Sequence, residues 1–127
     1  MTNYNQNFGK SSENEALRYL RKQGYRILEL NYKTRLGEID IIAQDKDTIC
    51  FIEVKSRSSI LYGQPKEALD KYKQHKISQS AVVYLKQKNS LEKRSRFDVL
   101  SVIRDENKRL SFELLRDAFC LEANYTY

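Results

Sequence analysis

Residues 37–57 read GEIDIIAQDKDTICFIEVKSR, and the fold turns on how this stretch pairs with itself. Two β-rich runs, Glu38–Ala43 and Thr48–Val54, flank the polar QDKD, which predicts a β-hairpin. A two-residue turn at Lys46-Asp47 sets Ile39 opposite Val54, Ile41 opposite Ile52 and Ala43 opposite Cys50. All three pairs put apolar side chains on one side, the pattern that fixes a register. The same register sets Asp40 opposite Glu53 and Glu38 opposite Lys55, with Cβ atoms about 4.5–5.5 Å apart. Two carboxylates at that distance repel unless something offsets them, and a hard divalent cation such as Mg²⁺ takes carboxylate oxygens. Lys55 shares the face of Glu53, where it would orient a water or neutralise charge at phosphorus. Ile42 and Phe51 lie on that face too, so the charges sit at the open end of a partly buried surface, as functional-site carboxylates do. The plainer alternative is a solvent-facing strand with an ordinary Glu38–Lys55 cross-strand pair.

Outward from the hairpin, the spacing of Ala16, Leu17 and Leu20 predicts a helix from Ser11, capped by Ser11 or Ser12 and ended near Gly24. Tyr25–Tyr32 reads as a first strand, and KTRLG (33–37) as a turn. Beyond the hairpin, Gly63 and Pro65 open a helix of about twenty residues. Its buried face is expected from Ala68, Leu69, Tyr72, Ile77, Ala81, Tyr84 and Leu85. Phe97–Ile103 and Arg109–Leu115 read as two more strands joined by the turn DENK, and Arg116–Leu121 as a short helical segment. The order α-β-β-β-α-β-β predicts an α/β domain, a mixed sheet flanked by helices. One domain over residues 11–121 is expected, after a flexible polar arm (1–10) and before a tail (122–127).

The 127 residues suffice for one domain and are short for two. With 40% hydrophobic and 31% charged residues, the chain is neither collagen-like nor wholly disordered. The longest apolar run, Ala81–Leu85, is far below the ~20 residues of a membrane crossing. The opening MTNYNQNFGKSS lacks the apolar core of a secretory signal, so a cytoplasmic location is expected. A surplus of 23 Lys+Arg over 17 Asp+Glu favours an anionic partner. Cys50 and Cys120, with His75 as the single histidine, make no zinc pattern, and Cys50 reads as a small core residue.

These motifs have a precedent. GEIDIIA (37–43) followed by FIEVKSR (51–57) resembles the YraN-like family of bacterial proteins. That family in turn resembles Holliday junction resolvases of the PD-(D/E)XK nuclease superfamily. The agreement extends to SENEALRYL (12–20), GYRIL (24–28), NYK (31–33), YGQPKEA (62–68), Lys73-Gln74 and RFDV (96–99). It spans residues 9–115, nearly the whole chain. The resemblance implies a restriction-endonuclease-like fold and Mg²⁺- or Mn²⁺-dependent hydrolysis of DNA, at branched or structured sites. It implies Asp40 and Glu53 as metal ligands and Lys55 as the catalytic lysine. Glu13 stands for an additional acidic residue that holds a second metal or its waters. Ser12 replaces the family's glycine before this glutamate, and Ile39 the superfamily's proline before the first aspartate. Symmetric cutting of two strands would use a homodimer.

Each residue also has a plainer role. Glu13 fits as a helix first-turn acid. Arg57, Lys33 and Arg35 are candidate phosphate contacts or solvated loop charges. The resemblance raises Lys73 and Gln74 from a solvated helix face to candidate substrate contacts. Arg96 and Asp98 share a strand face and suit a structural ion pair, while His75 suits an exposed helix position. Tyr62 and Tyr72 fall near the site, where tyrosines either stack on bases or pack. Two other function classes follow: a nucleic-acid-binding protein of the same fold without efficient cleavage, and a structural or interaction module.

Overall fold

The computed structural model describes residues 3–58 and 70–119, with side chains from Ser12 to Arg57 and from Asp70 to Phe119. The elements are α1 (Asn3–Lys22), β1 (Tyr25–Lys33), β2 (Glu38–Asp45), β3 (Thr48–Ser58), α2 (Lys71–Gln87), β4 (Ser95–Arg104) and β5 (Leu110–Phe119). One sheet holds all five strands in the order β1-β2-β3-β4-β5. Only β3 and β4 run parallel. A parallel pair needs a crossover, and α2 lies in that connection. The result is the mixed α/β sheet that the element order predicts.

The two helices cover opposite faces. Ala16, Leu17 and Leu20 of α1 pack on Ile41, Ala43, Cys50, Ile52, Val54, Leu100 and Val102. On the other face Ile77, Ala81, Tyr84 and Leu85 of α2 pack on Ile42, Phe51, Phe97 and Val99. Residues alternate between the two cores along β3 and β4, as they must where both faces are covered. Among the described residues, no helix is long and apolar enough to cross a membrane.

Several boundaries differ from the sequence expectations. α1 starts at Asn3, not Ser11, because no proline interrupts the polar stretch, and the two serines therefore lie inside the helix. α2 begins after Asp70, whose side chain caps the Lys73 N–H; the expected start at Gly63 and Pro65, with Ala68 and Leu69, lies outside the described residues. Tyr72 is not in the core but 71% exposed. At about 100° per residue it stands roughly 140° around the helix from Ile77, off the buried stripe. His75 is half-buried rather than exposed. The segment from Arg116 to Phe119 is not helical but continues β5. Phe119 holds it there by stacking on Phe97, centroids 4.5 Å apart.

The hairpin has the expected turn and the expected register at Ile41–Ile52, Ile42–Phe51 and Ala43–Cys50. It then departs from it. The ladder ends at Ile41–Ile52, and the pairs Ile39–Val54, Asp40–Glu53 and Glu38–Lys55 do not form. The Val54 N–H instead donates to the Asp40 carboxylate, Oδ2 at 2.8 Å. A side chain thus takes the place of a strand carbonyl. Ile39 turns into the α2-side core while Val54 stays in the α1-side core.

A buried polar network ties the sheet together at its other end. Asp98 is fully buried and accepts from Tyr25 Oη at 2.6 Å, Arg96 Nε at 3.0 Å and the Asp117 N–H at 2.9 Å. Arg96 also reaches Asp45 Oδ2 at 2.9 Å, and this hydrogen bond holds the Asp45 carboxyl below its ordinary range. The Arg96–Asp98 ion pair expected from the sequence is therefore the centre of a larger structural cluster joining β1, β2, β4 and β5. Cys50 is fully buried, and burial pushes its thiol up to about 12, so it acts as a core residue. Removing one member of a buried charge cluster strands the others. Asp98→Ala is therefore expected to cost about 3–5 kcal/mol in urea unfolding, and Tyr25→Phe about 1–2 kcal/mol. A loss at Asp98 no larger than at Tyr25 would show that the network carries little.

Candidate functional site

Asp40 and Glu53 meet where β2 and β3 separate. Past Ile41 the backbone no longer pairs, and the Asp40 side chain fills the gap by accepting the Val54 N–H. Glu53 precedes Val54 and follows Phe51 at strand alternation, so it emerges on the α2 face of the sheet and is 8% exposed. Burial pushes the Asp40 carboxyl up to about 8, the negative charge of Glu53 adds to the rise, and the Val54 N–H opposes it. Glu38 adds further negative charge, and its Oε2 is buried without a hydrogen-bond partner among the described residues.

The main counter-charge comes from α2. Asp70 accepts the Lys73 N–H at 2.8 Å, which fixes the first turn of the helix. From that turn Lys73 Nζ reaches Glu53 Oε2 at 2.6 Å. Burial works against the charge on Lys73, but the Glu53 carboxylate more than offsets it and holds the ammonium above its ordinary pKa. Lys73 is half-exposed, so this contact lies at the rim of the cluster. The sequence marked Lys73 as a substrate contact; the structure places it on a carboxylate. No local signal joins Lys73 to Glu53, because the two meet only through the crossover.

The other sequence candidates fall at graded distances. Lys55 is half-buried, one strand step beyond Glu53 on the same face, and lies beside Ser101 of β4. Gln74 is half-buried next to Lys73 on α2. Arg57 is half-buried and about 13 Å along β3 from Glu53 at ~3.3 Å per residue. Lys33 and Arg35 are exposed, with Lys33 paired in register to Glu38. Glu13 is half-buried on α1, the helix packed against the opposite face of the sheet. Among the described residues, no three of His, Cys, Asp and Glu form a group that could hold a metal ion. Of the acidic candidates, Asp40 and Glu53 meet, with the charge of Glu38 beside them.

The two side chains are of the type that a hard divalent cation takes: Mg²⁺ commonly binds one or two protein carboxylates and fills its shell with water and phosphate oxygens. Glu38 Oε2 lies buried nearby without a hydrogen-bond partner among the described residues. Burial of Asp40 beside Glu53 also sets a pH dependence. Asp40 stands near 8 in the folded chain against an ordinary 3.8. The folded state therefore holds a proton that the unfolded chain releases, and stability falls as pH rises through that window. Asp40→Asn keeps an acceptor for the Val54 N–H and removes the titration. In metal-free buffer its melting temperature is expected to match wild type near pH 4 and to exceed it by a few degrees at pH 8.5. A constant offset across this range would show that Asp40 does not titrate there.

Comparison with known proteins follows the same segments. The family model described as "Uncharacterised protein family UPF0102" matches residues 12–102. A UPF0102 protein of Desulfosudis oleivorans is 46% identical over 119 residues, 94% of each chain. One from Syntrophus aciditrophicus is 50% identical over 112 residues, 87% of each chain. One from Clostridium tetani is 43% identical over 122 residues, 95% of this chain and all of the relative. The match covers the second half of α1, β1, the hairpin with its carboxylate pair, α2 and most of β4, so the chain belongs to the UPF0102 family, the YraN-like group.

Proposed function

We propose that this protein is a Mg²⁺- or Mn²⁺-dependent nuclease of restriction-endonuclease-like fold that hydrolyses DNA phosphodiester bonds at the Asp40–Glu53 pair. The observation that carries this reading is the contact between a half-buried and a buried carboxyl group, Asp40 and Glu53, at the point where two strands part. A lone structural carboxylate needs no second one against it. The resemblance of the hairpin and the first helix to nuclease motifs supports the same assignment.

Asp40 and Glu53 would hold the cation. When bound, it stabilises charge on phosphate oxygens and lowers the pKa of water. Lys55, on the same face as Glu53, places a positive charge where negative charge develops during phosphodiester cleavage. Lys73 acts as the resting counter-ion of Glu53. With a cation held by Glu53, the same ammonium would be free to meet a substrate phosphate. Arg35 and Lys33 extend the positive surface along the backbone of a bound strand without reading its sequence.

That no three of His, Cys, Asp and Glu among the described residues are grouped to hold a metal ion favours a second reading, a nucleic-acid-binding protein that cleaves poorly. The experiment separates the two. Labelled single-stranded, duplex, flap and four-way-junction DNA are incubated with wild type or Glu53→Gln, with Mg²⁺, Mn²⁺ or EDTA. Cation-dependent cutting by wild type, reduced at least roughly 100-fold in Glu53→Gln, is expected. Equal cutting by both proteins would remove this pair from the active site. Binding without cutting by either would establish the second reading.

A further inference from the structure

Tyr72 is 71% exposed at the start of α2, next in sequence to the lysine that holds Glu53. A single exposed aromatic is ordinary. What sets this one apart is its neighbourhood. The loop from Thr34 to Gly37 is clamped to the same helix. Thr34 Oγ1 lies 3.0 Å from Ser80 Oγ, and Gly37 sits so close that a Cβ there would come within 3.1 Å of the Lys76 carbonyl oxygen. Thr34 Oγ1 also accepts the Leu36 and Gly37 N–H groups, at 2.9 and 3.1 Å, which fixes the loop's shape. Leu36, at the tip, is exposed. Lys76 stands one helical turn beyond Tyr72, its Nζ 5.5 Å from the ring centroid.

The loop that bears exposed Leu36 is thus held on the helix that carries exposed Tyr72, with Lys33 and Arg35 on the loop side and Lys73 and Lys76 on the helix. The chain runs straight from this loop into Glu38 and Asp40. We infer that Tyr72 and Leu36 form a stacking surface for an unpaired nucleotide base beside the carboxylate pair, with Lys76 and Arg35 on the flanking phosphates. The inference rests on the nucleic-acid reading above and narrows it. An aromatic ring stacks on any base whose face is open, while a base inside a duplex has both faces covered. The ammonium over the ring adds a cation–π contact and a phosphate partner in one group. The surface would therefore select strands with unpaired nucleotides over continuous duplex.

The test is fluorescence anisotropy at fixed salt with EDTA, so that cleavage does not interfere. The probes are a labelled oligothymidine and a blunt duplex of the same length, with anionic phospholipid vesicles as a control. Base stacking of about 1–3 kcal/mol corresponds to roughly 5- to 150-fold in affinity. Tyr72→Ala is expected to weaken oligothymidine binding at least about fivefold and duplex binding less than about twofold. Tyr72→Phe keeps the ring and should bind as wild type, and Leu36→Ala should follow Tyr72→Ala in direction. Tyr72 is exposed, so neither change threatens the fold. The inference is overturned if Tyr72→Ala binds oligothymidine as wild type does, if both probes weaken equally, or if Phe fails as Ala does. Tyr72-dependent binding of vesicles without oligothymidine would overturn it in favour of a lipid surface. A wild-type protein that binds neither nucleic acid would bring down the nucleic-acid reading itself, whereas a duplex-only binder would leave that reading standing.

Discussion

The hydrogen bond from the Val54 N–H to the Asp40 carboxylate is the constraint on which the site depends. A β-ladder is completed by main-chain carbonyls, and here a side chain substitutes for one. Three consequences follow from that substitution. The ladder between β2 and β3 stops at Ile41–Ile52, so the strands diverge. Ile39 leaves the side of Ile41 and joins the α2-side core. Asp40 is drawn inward until burial and the charge of Glu53 raise its pKa. The hydrogen bond that splits the hairpin is thus the one that brings the two carboxylates together. Packing on both sides holds the arrangement in place. Val54 is fixed by the α1-side core and Ile39 by the α2-side core.

The helices divide the remaining work. α1 seals one face with Ala16, Leu17 and Leu20 against the middle of the sheet. α2 covers the other face with its C-terminal half, through Ile77, Ala81, Tyr84 and Leu85. Its N-terminal turn carries Tyr72 and Lys73 past that core toward the carboxylates. The lysine therefore comes from the end of the helix that is not committed to packing, and it remains half-exposed. A partner held this way is easier to displace than one sealed in the core. At the far end of the sheet the Tyr25–Asp98–Arg96–Asp45 cluster is closed, each member hydrogen-bonded to another.

Much of this was legible in the sequence where the signal is local. The alternation of GEIDIIA and TICFIEV, with a two-residue turn between them, gave the hairpin register through Ile41–Ile52. The contact of Asp40 with Glu53 was also readable, though for an incomplete reason. A regular ladder predicts it as a cross-strand pair, whereas the structure produces it by breaking the ladder. What stayed hidden is non-local. Lys73 reaches Glu53 only through the crossover, and Tyr25 joins Asp98 only once β1 and β4 are in one sheet. Tyr72 was misplaced because one aromatic at the start of a helix fits a buried stripe as readily as an exposed turn.

The account stands on Asp40 being a proton-holding carboxyl that a divalent cation would convert to a ligand. Direct titration by carbon-13 NMR of the aspartate and glutamate carboxyl signals, with and without Mg²⁺, measures this at the atom concerned. The account predicts that Asp40 titrates near 8 in metal-free protein and falls toward the ordinary carboxylate range when Mg²⁺ is added. An Asp40 that titrates near 3.8 in metal-free protein, or one that Mg²⁺ leaves unchanged, would contradict it.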